Sequence, residues 1–541
     1  MKPPCDEAVI RAGPPDTPPA KKSQNWVLAA TILGSSMAFI DSTAVNVALP
    51  ALQSSLHATV VDVQWVIEAY GLFLSALILV GGALGDSLGR RRMFLLGVVG
   101  FAIASAGCGL SSSIRGLVLW RSIQGVGAAF LVPGSLAIIS SSFDERSRGK
   151  AIGTWAGFTT ITTALGPVLG GWLIENASWH WVFFINVPLA ALVLAISVWR
   201  VQESRSSNAR TIDWPAAAIV TLGLAALVFG FLERAILGWK DPRVIGTLIF
   251  AFAALVLFIF VEIKAKAPMV PLKLFQSASF SGANQLTLYF YAALGIFFFL
   301  FPLNLIQIQK YSATATGAAA LPMILLMFFL SRWSGGLISR YGAKLPLIIG
   351  PLIAAAGFLL FAAPDVGARY WSAFFPGFVV LGLGMAISVA PLTTVVMNSV
   401  PPDRVGTASG INNALARVAG VLAVAVLGSV MVAAFSRSLG HSLAGLNLNA
   451  SIVHELQLNA ARLGGLNAPS NVDPGTASII RGVIAEAFIF GFRFSMIICS
   501  GLAVVSATVA WRKIPARRHA DFKFCFDSER SEPRDSAELH C

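Results

Sequence analysis

Fourteen stretches of this chain are apolar for about 20 residues each, the length at which a helix crosses the ~30 Å hydrocarbon layer of a bilayer. Their approximate limits are 26–48, 64–84, 93–112, 117–140, 150–174, 181–199, 214–232, 243–262, 280–306, 317–337, 345–363, 370–397, 404–434 and 483–510. Lipid offers no partner to a backbone N–H or C=O, so each stretch must satisfy its own hydrogen bonds as an α-helix. The chain is 56% hydrophobic and 12% charged, where soluble proteins carry about 25% charged residues. The expectation is an all-alpha integral membrane protein with 14 transmembrane helices.

Loop charge gives an orientation. With the N-terminus in the cytoplasm and the spans alternating, 26 of the 39 Lys and Arg lie inside and nine outside. The other four, Arg121, Arg332, Arg417 and Arg493, fall within spans. Cytoplasmic loops carry such an excess, so the net charge of +13 reports topology and calls for no nucleic-acid partner. Both ends are then cytoplasmic. Residues 1–25 read as a disordered cytoplasmic tail, and 511–541 as a second tail whose Arg512, Lys513, Arg517 and Arg518 stand beside membrane lipid. Residues 435–482 read as a long outer loop, parts of which suit a surface amphipathic helix. The cysteines at 5, 108, 499, 525 and 541 form neither a disulfide framework nor a metal-binding pattern.

The loop after the second span, GGALGDSLGRR, is echoed by GGLISRYGAK eight spans later. A six-helix repeat with two inserted helices explains that spacing, and secondary transporters are often built from such repeats. The expected organisation is an N-terminal six-helix bundle over 26–199, two inserted helices and linkers over 200–279, and a C-terminal six-helix bundle over 280–510.

An ionisable group inside a membrane helix is costly and marks function by default. Asp41 is late in the first span, Glu68 early in the second and Arg121 early in the fourth. With alternating spans all three fall at comparable depth in the outer half of the membrane. A carboxylate there is disfavoured by dehydration and favoured by a nearby arginine, an opposition suited to proton coupling. The structural alternatives are that Asp41 is a static partner of Arg121 and that Glu68 is merely solvated near the outer surface. In the second half, Arg417 and Arg493 fall near mid-membrane without an acidic partner in their own spans. With Asn46, Gln124, Asn412 and Asn413 they are candidates to line a cavity, although asparagines also serve as interhelical contacts. Trp155, Phe158, Tyr289 and Phe290 suit either flat cations or helix packing.

Between the second and third spans, Gly82, Asp86, Gly89, Arg90 and Arg91 suit a conformational latch. Asp86 would accept N–H groups at the start of the third helix or meet a neighbouring arginine. Gly153, Gly166, Pro167, Gly170 and Gly171 give the fifth span a thin, bendable surface suited to a hinge.

These motifs resemble those of the major facilitator superfamily, and most closely its fourteen-helix drug:proton antiporter family. Asp41, Thr43, Val45, Asn46, Val47, Ala48, Leu49 and Pro50 match its first-helix motif. Gln64, Trp65, Val66, Glu68 and Tyr70 match its second-helix entry, and Gly82, Leu84, Asp86, Gly89, Arg90 and Arg91 its loop motif. Leu117, Arg121, Gln124, Gly125 and Gly127 match the fourth-helix motif, whose arginine is linked to proton transfer. The fifth-span residues above match the antiporter motif, and WHWVFFINVP, residues 179–188, the sixth-helix entry. The chain departs from the pattern at Thr162, usually glycine, at His180, usually arginine, and at Ser339, usually acidic.

The resemblance implies two six-helix bundles plus two inserted helices, and a proton-coupled carrier exporting amphiphilic or cationic organic compounds by alternating access. An exporter or proton symporter of one endogenous metabolite is the alternative. No cofactor is expected, the proton gradient being the drive. Small organic substrates, protons and lipid are the expected partners of a functional monomer, with a periplasmic adaptor left open. A membrane enzyme would need a clustered nucleophile or metal set, and His57, His180, His441 and His454 show no ligand spacing. An ATP-driven pump would need a phosphate-binding loop of the form G-x-x-x-x-G-K-[ST], and the chain has none.

Overall fold

The computed structural model describes residues 21–143, 145–205, 213–265, 268, 270–335, 337–400, 405–446, 448–469 and 472–515, and no strand occurs among them. The first half contains α1 (Lys21–Ser55), α2 (Val60–Leu88), α3 (Arg90–Gly109), α4 (Ile114–Ser142), α5 (Glu145–Asn176), α6 (His180–Phe184) and α7 (Asn186–Arg200). The inserted pair is α8 (Trp214–Leu237) and α9 (Pro242–Lys264). Then come α10 (Ala278–Leu303), α11 (Ala313–Ala319), α12 (Leu321–Gly335), α13 (Leu337–Tyr341), α14 (Lys344–Ala362), α15 (Phe375–Asn398), α16 (Val405–Ala444), α17 (Ala450–Leu458) and α18 (Pro474–Lys513). Thirteen spans among the described residues are long and apolar enough to cross a membrane. The 32-residue α5 is long enough to be the fourteenth.

Helix starts follow local chemistry. Thr59 and Asp62 form a reciprocal capping box at α2, which explains an aspartate at that position. Asp213, Asp241 and Asp473 cap α8, α9 and α18, each followed by a proline in the first turn, where a missing N–H costs nothing. The first helix begins at Lys21, so 21–25 belong to α1 and not to a tail; residues 1–20 and 516–541 lie outside the described set.

Helix adjacency repeats between the halves. α1 packs on α5 and α7, α2 and α3 on α4, and α3 on α7. Correspondingly, α10 packs on α16 and α18, α12 and α14 on α15, and α14 on α18. α8 and α9 pack on each other, and α8 also lies against both α2 and α16. The first half is built around Phe94, Phe101, Leu131, Ile139 and Val193. The second centres on a cluster of rings in which Phe297, Phe301, Phe361 and Phe378 meet, mostly edge to face, at centroid distances of 4.8 to 6.2 Å.

With α1 entering and α18 leaving on one side, the helices define a terminal face, where the chain ends, and a distal face. The stretch read as a long loop over 435–482 is largely folded at the distal face. α16 runs on to Ala444, α17 and a 3-10 turn (Ala460–Gly465) follow, and α18 starts at Pro474. Leu439, Leu443, Leu456, Leu463 and Leu466 are buried, and the segment caps the helices beneath it. Its apolar residues are too widely spaced to score as a span, yet they find a tertiary surface.

Candidate functional site

Asp41 and Arg121, brought together from α1 and α4, form an ion pair with Oδ2 2.5 Å from Nη1. The two side chains are 0% and 1% exposed. Gln124, one turn after Arg121 on α4, donates from Nε2 to Asp41 Oδ1 at 2.9 Å and accepts from Arg121 Nη1 at 2.8 Å. Asn186, at the start of α7, donates to Asp41 Oδ1 at 3.4 Å and to Ser105 Oγ at 3.0 Å. Ser105 in turn donates to Phe183 O. Arg121 Nε donates to Val66 O at 3.0 Å, and its guanidinium lies over the Tyr70 ring, 4.3 Å from the centroid.

Burying two charges costs several kcal/mol each, offset only by close pairing and by hydrogen bonds to the remaining lone pairs. Here both Asp41 oxygens are occupied, and Arg121 has acceptors besides Asp41. That second property matters chemically. If Asp41 took up a proton, Arg121 would keep Val66 O, Gln124 Oε1 and the Tyr70 ring. Glu68 does not join this cluster. It is fully buried, which removes the solvated alternative, and neither carboxyl oxygen has a partner among the described residues.

The remaining candidates separate. Asn412 donates to Thr287 Oγ1 at 2.7 Å and to Asn284 Oδ1 at 3.2 Å, a polar contact joining α16 to α10. Asn413 is exposed and Arg417 half-buried on the same helix. Asn46 donates back to Ser42 O within α1. Trp155 donates to Ser35 Oγ, Phe158 is exposed, and Phe290 is a core side chain. Arg493, expected near mid-membrane, is instead at the distal rim. It pairs with Asp365 at 2.5 Å and donates to Ala363 O and Pro364 O beyond the end of α14. The displacement follows from α18 being 40 residues long, so that Arg493, about five turns into it, comes level with the end of α14.

An acid does meet the start of α3. Glu203, after α7, accepts from the Arg91 and Arg92 amides at 3.0 and 3.1 Å and so caps the start of α3, the place expected for Asp86. The Asp86 side chain lies outside the described residues, as does that of Gly153. Gly89 joins α2 to α3 at φ +122, and a Cβ there would strike the Glu203 carboxylate. Arg90 is buried and its amide donates to Ser204 O at 2.9 Å; the Arg91 side chain donates to Val198 O. Gly82 is in ordinary contact distance of Pro133.

The glycines of α5 divide between two tasks. Gly166 and Gly170 press on Thr43 and Ala44 of α1. Gly171 and Pro167 meet the other half: a Cβ on Gly171 would fall 2.4 Å from Ala313 O, while the Pro167 carbonyl abuts Gly317. Further hydrogen bonds join the halves at the distal face. Glu175 accepts from Thr314 N and Oγ1 at 2.8 and 2.6 Å. It lies beyond the end of its span, and those bonds hold its carboxyl below the usual range. Gln64 reaches Val424 O at 3.5 Å, and Gln53 accepts from Gln307 and donates to Arg462 O, both at 2.8 Å. α8 adds a bond from Arg234 to Ser429 Oγ at 2.9 Å. The distal face is closed.

Sequence reasoning missed Asn186, Ser105 and Glu203. Asn186 sits in the quoted WHWVFFINVP run, so its presence in a motif was the available signal. Glu203 had none, being an acid in a polar loop.

The sequence profile of the Major Facilitator Superfamily matches residues 31–424. The tetracenomycin C resistance and export protein of Streptomyces glaucescens is 32% identical over 498 residues, covering 90% of this chain and 91% of that protein. Multidrug resistance protein Stp of Mycobacterium tuberculosis (strain CDC 1551 / Oshkosh) is 32% identical over 506 residues, covering 92% and 93%. Among solved structures, a bacterial homolog of the human lysosomal transporter Spinster, inward-facing and unoccupied, superposes with a TM-score of 0.64 at 16% identity, covering 93% of this chain and all of that one.

Proposed function

This chain belongs to the Major Facilitator Superfamily of multi-pass membrane proteins, and on that premise we propose that it exports amphiphilic or cationic organic compounds, multidrug efflux fashion, in exchange for protons. The terminal face is cytoplasmic in this reading, as the loop charges favour, and the membrane is the bacterial inner membrane. The chain acts as a monomer without a cofactor, drawing on the proton gradient. The resistance and export proteins to which it is similar along nearly its whole length support the export direction.

The observation that carries the reading is the enclosed Asp41–Arg121 pair with its Gln124 and Asn186 donors. A purely structural role would be filled more cheaply by apolar side chains, since a buried pair gains little net stability. Asp41 takes a proton when the distal face is open. Arg121 then relaxes onto Val66 O, Gln124 and Tyr70, and the neutral pocket closes. Substrate entering from the terminal side competes for the same negative region and displaces the proton inward. With the distal contacts made, the described conformation corresponds to the inward-facing stage.

The test uses purified protein in proteoliposomes with an imposed pH gradient, a panel of amphiphilic cations and an internal pH indicator. Asp41→Asn, which fixes the neutral form, should abolish uphill accumulation and paired proton movement while leaving some downhill exchange. Uphill accumulation by D41N with parental proton movement would make Asp41 structural.

A further inference from the structure

Glu68 is 0% exposed, and its position follows from helical spacing. Gln64, four residues before it, lies against Val424 and Gly428 of α16, and Gly71, three residues after it, meets Val421. Val61, seven residues before it, packs with Val421 and Ala425 of α16 and Val228 of α8. Residues at these intervals share one face of a helix. Glu68 therefore stands where α2, α8 and α16 meet, in a seam between the halves lined with valine and alanine. The charged and titratable groups on the elements packed here are few, and most are engaged elsewhere. On α4, Arg121 is bound to Asp41 of α1, and Tyr70 lies under its guanidinium on another face of α2. On α16, Arg417 is one turn nearer the terminal face than Val421. On α8, Arg234 holds Ser429 and Trp239, and Glu233 faces Asp62 and Trp65 at the distal end.

Resting on the export reading above, we propose that Glu68 is a proton-operated lock on the distal seam: α2 and α16 close over it only when it carries a proton, and its ionisation opens the distal face. With the seam open, the carboxylate takes a proton from hydronium in distal water, which becomes water. Closure then buries a neutral acid, which valine and alanine tolerate far better than an anion. When that proton passes to water on the terminal side, the carboxylate needs solvation, which opening of the seam provides. The inserted helix α8 has a definite task in this scheme. Val228 and Phe231 pack with Val61, Val421 and Ala425, and in this scheme that packing keeps lipid from the seam, so that water reaches Glu68 through the gap between the halves.

Hydrogen–deuterium exchange of the full chain in nanodiscs tests this without substrate or gradient, so the outcome does not depend on coupling at Asp41. Exchange of residues 60–72 and 418–430, corrected for intrinsic rates, is compared at about pH 5.5 and about pH 8.5. The parent should exchange at least about tenfold faster at the higher pH, as expected for opening linked to loss of one proton. Glu68→Gln should stay protected at both, and Glu68→Asp should keep the response with a shifted midpoint, which guards against a folding defect in E68Q. D41N, with Glu68 intact, should still exchange faster at the higher pH. A parent indifferent to pH, an E68Q protein that still opens, or loss of the response in D41N alone would overturn the lock, whereas the proteoliposome result for Asp41 would stand or fall separately.

Discussion

Replacing Gly171 with alanine should push the carrier away from its distal-closed state. The new Cβ would sit 2.4 Å from Ala313 O, 2.5 Å from Ala313 C and 2.6 Å from Thr314 N, all backbone atoms at the start of α11. A carbon–oxygen contact settles at about 3.3 Å or more, so α5 and α11 must part by roughly 0.9 Å. Forcing one extra carbon into a packed contact costs about 1–3 kcal/mol. The cost falls only on the state in which these two helices touch, so the ratio of open to closed should rise about 5- to 150-fold. Spin labels at Ser54→Cys and Lys310→Cys, both exposed on the distal face in opposite halves, report the change once Cys5, Cys525 and Cys541 are serine. Their distance distribution should gain a longer component in G171A. The control is Gly166→Ala, whose Cβ would overlap Thr43 within one half; it should lower thermal stability without favouring the longer distance. An unchanged distribution in a well-folded G171A protein would refute the reasoning that this seam opens.

Arg121→Ala leaves Asp41 without its counter-ion in a site 0% exposed, and should destabilise the protein by about 3–5 kcal/mol; the double variant Asp41→Asn/Arg121→Gln should recover most of that loss in a thermal melt. Glu233 lies just beyond the end of the α8 span, where burial first, and then the charge of Asp62, raise its carboxyl above the ordinary 4.5. The folded state then holds the proton more tightly than the unfolded chain, so this group's contribution to stability is full below pH 4.5 and is lost as pH rises through the raised value. Glu233→Gln should flatten that part of a Tm-against-pH curve, and an unaltered curve would remove Glu233 from the account.

The helices were legible because lipid thickness and backbone hydrogen bonding leave an apolar run almost no other conformation. The Asp41–Arg121 pair was legible for a related reason: opposite charges at equal depth in a bilayer have few other partners. Arg493 failed the same reasoning because its depth was taken from the centre of an apolar run, while α18 begins about five turns before it and brings it level with the end of α14. The part Glu203 plays at the start of α3 was not legible, because an acid in a polar loop carries no mark of its partner in one dimension. Only the approach of the chain after α7 to the start of α3, a contact across 112 positions, brings Glu203 to those amides. Glu68 was visible as an ionisable residue in a span, but its isolation from the ion pair depends on which face of α2 meets α16.

Both α16 and α18 are 40 residues long, or about 60 Å, twice the thickness of the hydrocarbon layer. Each is therefore a lever reaching past the distal rim; on α18 the arm from Arg493 at that rim to Pro474 is about 30 Å long. A tilt of about 10° sweeps the distal tip through roughly 5 Å on such an arm, more than the 2.8 Å bonds by which Gln53 holds Gln307 and Arg462. Small rotations near Asp41 thus become large displacements of the segment joining the two levers. By the same mechanical advantage, a binder gripping that segment from outside needs little force to arrest the rotation within.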